Sequence, residues 1–187
     1  MTQIRSTAVP ALLAALVLPL AVSAAVLKTD VAHSKVSATF KQMNVPVEAQ
    51  FKKFSATIDY DAAKPEAAKA TVQIDTASLD VGDAQMNDEV AKKDWFNSAQ
   101  YPKATFTSTS IKPAGAGKLT VAGKLTIKGR TADVTFPLSV KTEGARQIFE
   151  GQLPIKRLTY AIGEGEWKDT SMVADDVVIK FRVAADK

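Results

Sequence analysis

The stretch that decides the fold is Leu125–Val140, LTIKGRTADVTFPLSV. Leu125 and Ile127 are apolar with Thr126 and Lys128 between them; after Gly129 and Arg130 the pattern resumes at Ala132, Val134, Phe136, Leu138 and Val140. A period of two puts these side chains on one face of an extended strand. Two strands joined at Lys128-Gly129-Arg130 are therefore predicted, each with a dry face and a wet one. A solid core, a ligand or a partner could cover the dry face.

The alternation recurs along most of the chain. Val36, Ala38 and Phe40 share a parity, as do Val47, Ala49 and Phe51. It slips at Lys52-Lys53, and Phe54, Ala56, Ile58 and Tyr60 continue on the other parity. Such a slip fits a β-bulge or sharp bend that keeps the apolar set on one face. Further runs lie at Ala70–Ile74, Ala104–Phe106, Leu119–Val121, Phe149–Ile155 and Val177–Val183. With turn signals at Asn44-Val45-Pro46, Ala63-Lys64-Pro65, Gly115-Ala116-Gly117 and Glu143-Gly144, they predict about eight antiparallel strands in a sandwich or barrel. Two segments break the rhythm. In Gly82–Trp95, Met86 and Val90 stand one helical face apart, so a short helix capped by Asp83 is predicted near residues 83–93. Arg157–Met172 is irregular.

The first residues have a different composition. Arg5 precedes an apolar run from Ala8 to Val22, interrupted by Pro10 and Pro19, and Ser23-Ala24-Ala25 follow. This is the layout of a secretory signal peptide, residues 1–24, cut after Ala24 or Ala25, which leaves 25–187 as one domain and a periplasmic location. The run is shorter than the ~18 residues of a spanning helix, and with no cysteine in the chain a lipoprotein anchor and a disulfide scaffold are both excluded. Removing Arg5 lowers the formal net charge from +4 to +3. The charges are interleaved, without the basic stripe that nucleic-acid binding needs.

Catalytic chemistry has little to work with. There is one histidine, His33, and a strand sends it and Ser34 to opposite faces, so no triad is expected. His33 reads as a structural residue near a strand end. Asp75, Asp80, Asp83, Asp88 and Asp94 match no metal-loop spacing and read as turn and cap residues. No catalytic residue, metal or cofactor is assigned. Any function falls to the apolar face, and the periodicity leaves open whether that face is filled or holds one ligand.

Particular phrases narrow this. DWFNSAQYPKATFTSTSI, Asp94–Ile111, resembles the signature segment of the YceI-like family, and VAGKLTIKGRTADVTFPL, Val121–Leu138, is similar to its other hallmark. Asp30 with His33-Ser34 resembles the family's opening, and Ala77-Ser78 a strand end in it. The resemblance implies an all-β, antiparallel, lipocalin-like barrel with a long apolar tunnel. It implies a periplasmic, non-enzymatic protein that binds a polyisoprenoid lipid, such as an isoprenoid quinone tail. A stress-linked accessory of a membrane redox protein is the alternative, and a homodimer is possible for either. The ligand-binding candidates are the large apolar residues at inward parity: Phe40, Phe51, Phe54, Phe106, Phe136 and Phe181, with Met86 and Trp95 from the helix region and Trp167 from the late loop. Three places depart from the family pattern. Ala49 and Ala56 stand where the family usually has glycine, Asn87-Asp88 replaces Arg-Asp, and Lys41-Gln42 replaces Lys-His. Added methyls would narrow a tunnel, and a lost Arg and His would change how a head group is held.

Overall fold

The structure, a computed structural model, describes residues 26–186. The expected signal peptide lies outside the described residues. Ten strand segments follow in order: β1 (Val26–Gln42), β2 (Val45–Phe51), β3 (Phe54–Asp59), β4 (Lys69–Asp75), β5 (Leu79–Asp80), β6 (Lys103–Pro113), β7 (Lys118–Ile127), β8 (Arg130–Glu143), β9 (Arg146–Lys156) and β10 (Val173–Asp186). β2 and β3 are two halves of one stave broken at Lys52-Lys53, and β4 and β5 make another, broken by a 3₁₀ turn over Thr76–Ser78. The result is eight antiparallel staves, closed where β1 pairs with β10 from Lys28↔Asp186 to Gln42↔Val173.

The hairpin read from the opening stretch is present. β7 pairs with β8 without a slip from Lys118↔Ser139 to Ile127↔Arg130. The loop is Lys128-Gly129, with φ of 48° and 73°, the doubly positive geometry that matches the twist of the flanking strands. The first turn differs from expectation. It is Met43-Asn44, with φ of 49° and 64°, and Val45-Pro46 already belong to β2. Proline is tolerated there because β5 pairs with β2 only at Gln50 and Phe51, so Pro46 lies on an edge.

β1 changes partners along its length, pairing with β3 through Val26–Lys28 and with β2 through Val36–Gln42. The change coincides with an irregularity against β10 between Asp30 and Lys35. Ser34 stitches it: its hydroxyl donates to the Asp30 carbonyl at 2.6 Å and accepts from the Ala184 amide at 2.9 Å. His33 Nδ1 meets Asp30 at 2.7 Å, and Arg182 donates to the His33 carbonyl. The Asp30, His33 and Ser34 motif is thus a bulge clamp, which accounts for the histidine in structural terms. Burial opposes ionisation of Asp30, but hydrogen bonding and charge from His33, with the charge of Arg146, outweigh it and hold the carboxyl below its usual range.

The one α-helix among the described residues, α1 (Ala84–Ala91), has Asp83 at its N-cap, accepting from the Met86 amide. Asn87 ties α1 to the sheet, accepting from the Val81 amide and donating to Asp80.

Ser34→Ala is expected to leave the fully buried Ala184 amide without its acceptor and to lower stability by about 1–3 kcal/mol in urea unfolding. Ser34→Thr, which keeps the hydroxyl, is expected to recover part of the loss.

Candidate functional site

The dry faces of the eight staves do not fill the barrel. Two chambers lie inside it. The larger, about 480 Å³, opens beside α1 and the β1–β2 turn. The smaller, about 120 Å³, is lined by aliphatic and aromatic residues throughout, with Tyr60 the one side chain carrying a polar atom. Ile74, Leu125 and Ile179 line both, so the two chambers adjoin at these side chains.

Aromatic rings shape the inner chamber. Phe136 packs between Phe106 at 5.5 Å and Phe181 at 5.6 Å, and Tyr60 meets Phe149 edge-on at 5.4 Å. Two strand glycines make room for these rings. A Cβ at Gly123 would stand 2.5 Å from the Phe106 ring, and one at Gly151 would stand 2.5 Å from the Phe181 ring. Because those positions carry no side chain, the rings lie along the wall. Burial raises the Tyr60 hydroxyl pKa, with a smaller push from Asp61, so it is neutral at ordinary pH.

The outer chamber is closed on one side by the loop 157–172, which contains 3₁₀ turns over Arg157–Tyr160 and Gly165–Lys168. Arg157 holds this loop from within. Its Nε donates to the carbonyl of Ala174, one terminal nitrogen to Ile162 and Gly163, and the other to Trp167 and Val173, at 2.7–3.1 Å. These five bonds use every guanidinium N–H, so none is left for a ligand. Arg157 is 2 % exposed and lies 6.0 Å from the centre of the Trp95 ring. Burial lowers its pKa and the charge of Asp175 opposes the shift; a guanidinium remains charged through such a change. The buried Lys128 adds a second tie, donating to the Ala161 carbonyl at 2.7 Å and to Glu164 at 3.0 Å. Its hydrogen bond is the main cause that holds the Glu164 carboxyl below its usual range. The amides of Gly163 and Glu164 both donate to the Asp94 carbonyl, which sets Trp167 against Trp95 at 5.5 Å.

Trp95 is itself 9 % exposed, lines the outer chamber, and has an indole Nε1–H with no acceptor. Buried indole N–H groups normally find a partner. Other polar side chains stand at the chamber mouth: Gln42, Asp83, Gln85 and Glu89. Among the described residues, no three His, Asp or Glu side chains group as a metal-ligand set.

The structure places eight of the nine candidates on a chamber wall. Phe40, Phe51, Met86, Trp95 and Trp167 line the outer chamber, and Phe106, Phe136 and Phe181 the inner. Phe54 lines neither; next to the Lys52-Lys53 break it packs against the cluster around Ala49 and Phe51. Of the two departures from glycine, Ala56 puts its methyl on the inner chamber, whereas Ala49 is packed away from both. Sequence reasoning missed Ile74, Leu125 and Ile179 as the shared wall, Tyr60 and Phe149 in the inner chamber, and Arg157. The first five sit on inward parity but were passed over for larger rings or for position. Arg157 gives no sequence signal, because all its partners are backbone carbonyls.

A closed antiparallel barrel around an apolar cavity defines a lipocalin-like binding barrel. The chain belongs to the YceI-like family: the YceI-like domain matches residues 27–185. A UPF0312 protein of Shewanella baltica is 38% identical over 144 residues, covering 75% of this chain and 72% of its own. Burkholderia cenocepacia BcnA superposes with a TM-score of 0.82 at 56% identity, covering 84% of this chain and 99% of its own. The Campylobacter jejuni YCEI protein superposes with a TM-score of 0.69 at 26% identity, covering 75% and 85%. A polyisoprenoid binding domain from Saccharophagus degradans shares the fold, with a TM-score of 0.70 at 18% identity over 88% and 98%.

Arg157→Met is expected to leave five carbonyls without their donor and to cost at least about 3 kcal/mol, since each buried acceptor left unsatisfied costs about 1–3 kcal/mol. Arg157→Lys is expected to recover little, since an ammonium cannot satisfy five spread acceptors. Thermal unfolding of the three proteins tests this.

Proposed function

We propose that this protein is a periplasmic carrier or sequestering protein for a polyisoprenoid lipid, such as an isoprenoid quinone, with its tail in the barrel and its polar end in the outer chamber. The observation that carries the reading is the pair of apolar chambers in series within a closed barrel. At ~24 cal/mol per Å³ of cavity, leaving even the 120 Å³ chamber empty costs about 3 kcal/mol. Small apolar cavities stay dry, so water does not offset that cost. A flexible chain of CH₂, CH₃ and C=C groups does, at ~0.8 kcal/mol per buried CH₂.

Other features point the same way. The lining asks for no counter-charge: Arg157 is saturated by backbone carbonyls, Asp83 caps α1, and Glu89 pairs with Lys92 at 2.6 Å. The amide side chains of Gln42 and Gln85 at the mouth suit a ligand whose head brings acceptor oxygens. The Saccharophagus degradans neighbour is described as polyisoprenoid binding, and the leader read from the sequence supports the periplasm. The reading involves no chemical step on the lipid. No feature of the described surface favours the accessory role beside a membrane redox protein.

The test is purification from the native periplasm, organic extraction and mass spectrometry. A prenyl lipid near one per protein is expected; a clean blank, repeated after quinones are offered, contradicts the proposal.

A further inference from the structure

We propose that the mouth of the outer chamber docks on a lipid surface. Met43, Val45, Met86 and Met172 form an apolar rim that enters the interface of a neutral or zwitterionic bilayer, so that the ligand chain passes between bilayer and barrel without crossing water. This rests on the lipid-carrier reading above and adds the surface from which the chain is taken.

The rim is assembled from three separate segments. Met43 follows Gln42, a chamber-lining residue, at the tip of the β1–β2 turn. Its amide donates to the Met172 carbonyl at 2.8 Å, and Met172 precedes Val173, which lines the chamber and pairs with Gln42. Met86 lines the chamber directly from α1. Every methionine after Met1 therefore sits at this mouth. The residues are 65 % (Met43), 62 % (Val45), 44 % (Met172) and 41 % (Met86) exposed. They are four of the six large hydrophobic residues most exposed among the described residues; the other two, Val26 and Val31, lie in the first half of β1. Grouping of that kind marks an interaction surface rather than scattered surface hydrophobicity. Methionine, unbranched and polarisable, adapts to a fluid partner.

Charge decides the kind of lipid surface. The segments that build the mouth, residues 41–48, 83–94 and 164–172, hold eight acidic residues against four lysines, although the whole chain has a formal net charge of +4. The cationic excess lies elsewhere on the barrel. Electrostatic adhesion to an anionic leaflet would turn the mouth away from it. Contact through this end is therefore made by apolar insertion, the mode of interfacial segments that bury side chains at the headgroup boundary. The mouth is also where a hydrocarbon chain leaves the outer chamber, and contact with the bilayer there avoids hydrating the chain in transit.

The protein, stripped of lipid, is floated with phosphatidylcholine vesicles and with vesicles containing phosphatidylglycerol. In parallel, transfer of a long-chain prenyl quinone from donor vesicles is timed against acceptor-vesicle concentration. The comparison is Met43→Ser/Val45→Ser/Met172→Ser, with Met86 kept because it lines the chamber. The wild type is expected to float with phosphatidylcholine vesicles at low and high salt, with a transfer rate that rises in proportion to acceptor concentration. The triple variant is expected to lose vesicle binding and transfer at least tenfold while binding a short-chain, water-soluble quinone as before. Four results overturn the proposal: no flotation with phosphatidylcholine; flotation confined to anionic vesicles and abolished by salt; an undiminished variant; or transfer independent of acceptor concentration, which points to passage through water. Failure of both proteins to take up the long-chain prenyl quinone from detergent overturns the carrier reading itself and is seen separately from vesicle contact.

Discussion

Closure of β1 on β10 is the constraint on which the rest of the structure depends. Pairing from Lys28↔Asp186 to Gln42↔Val173 leaves an open edge only where β2 outruns β5, and fixes an interior whose size is set by strand number and tilt rather than by the side chains available to fill it. Closure has a local requirement. β1 must pair with β3 at one end and β2 at the other, and the Ser34 clamp is where it turns. Once the barrel is closed around eight staves, aliphatic residues such as Ile74, Leu125 and Ile179 do not span it. Gly123 and Gly151 enlarge the space further by letting rings lie along the wall.

The ends of the barrel are a separate problem with a separate solution. A loop crossing one end brings backbone carbonyls into a dry place, where each needs a donor. Arg157 supplies five from one side chain, and Lys128, carried on the two-residue hairpin turn, supplies another to Ala161. These cations are spent on the protein's own backbone, so the chamber they help to close remains apolar. At the other side of the mouth, α1 is fixed by Asp83 and Asn87. Asn87, one of the departures from the family pattern, is used for that tie and does not face the chamber.

Much of this was legible in the sequence. Strict alternation around Lys128-Gly129 identified β7 and β8, because a period of two admits no other regular structure. Met86, Val90 and Asp83 identified α1, and the irregular run from Arg157 became the capping loop. The position of the first turn was misjudged because proline is usually a turn residue, and an edge strand accepts it. What alternation cannot give is volume: it states which face is dry and not how far apart the dry faces stand. Choosing candidates by size therefore found the aromatic walls and missed the aliphatic residues at which the two chambers adjoin. It also included Phe54, which a bend next to the double lysine takes off the chamber wall.

The central claim is that the two chambers in series are the site of one prenyl chain. It is tested most directly by affinity for a series of quinones that differ only in the number of isoprene units. Burial of a five-carbon unit is worth roughly 1.5–4 kcal/mol, between the efficiency of drug-sized ligands and the full transfer value. Each added unit is expected to tighten binding about tenfold or more until both chambers are filled, and the gain is then expected to stop. Affinity that does not change with tail length, from the shortest quinone onward, would contradict the account.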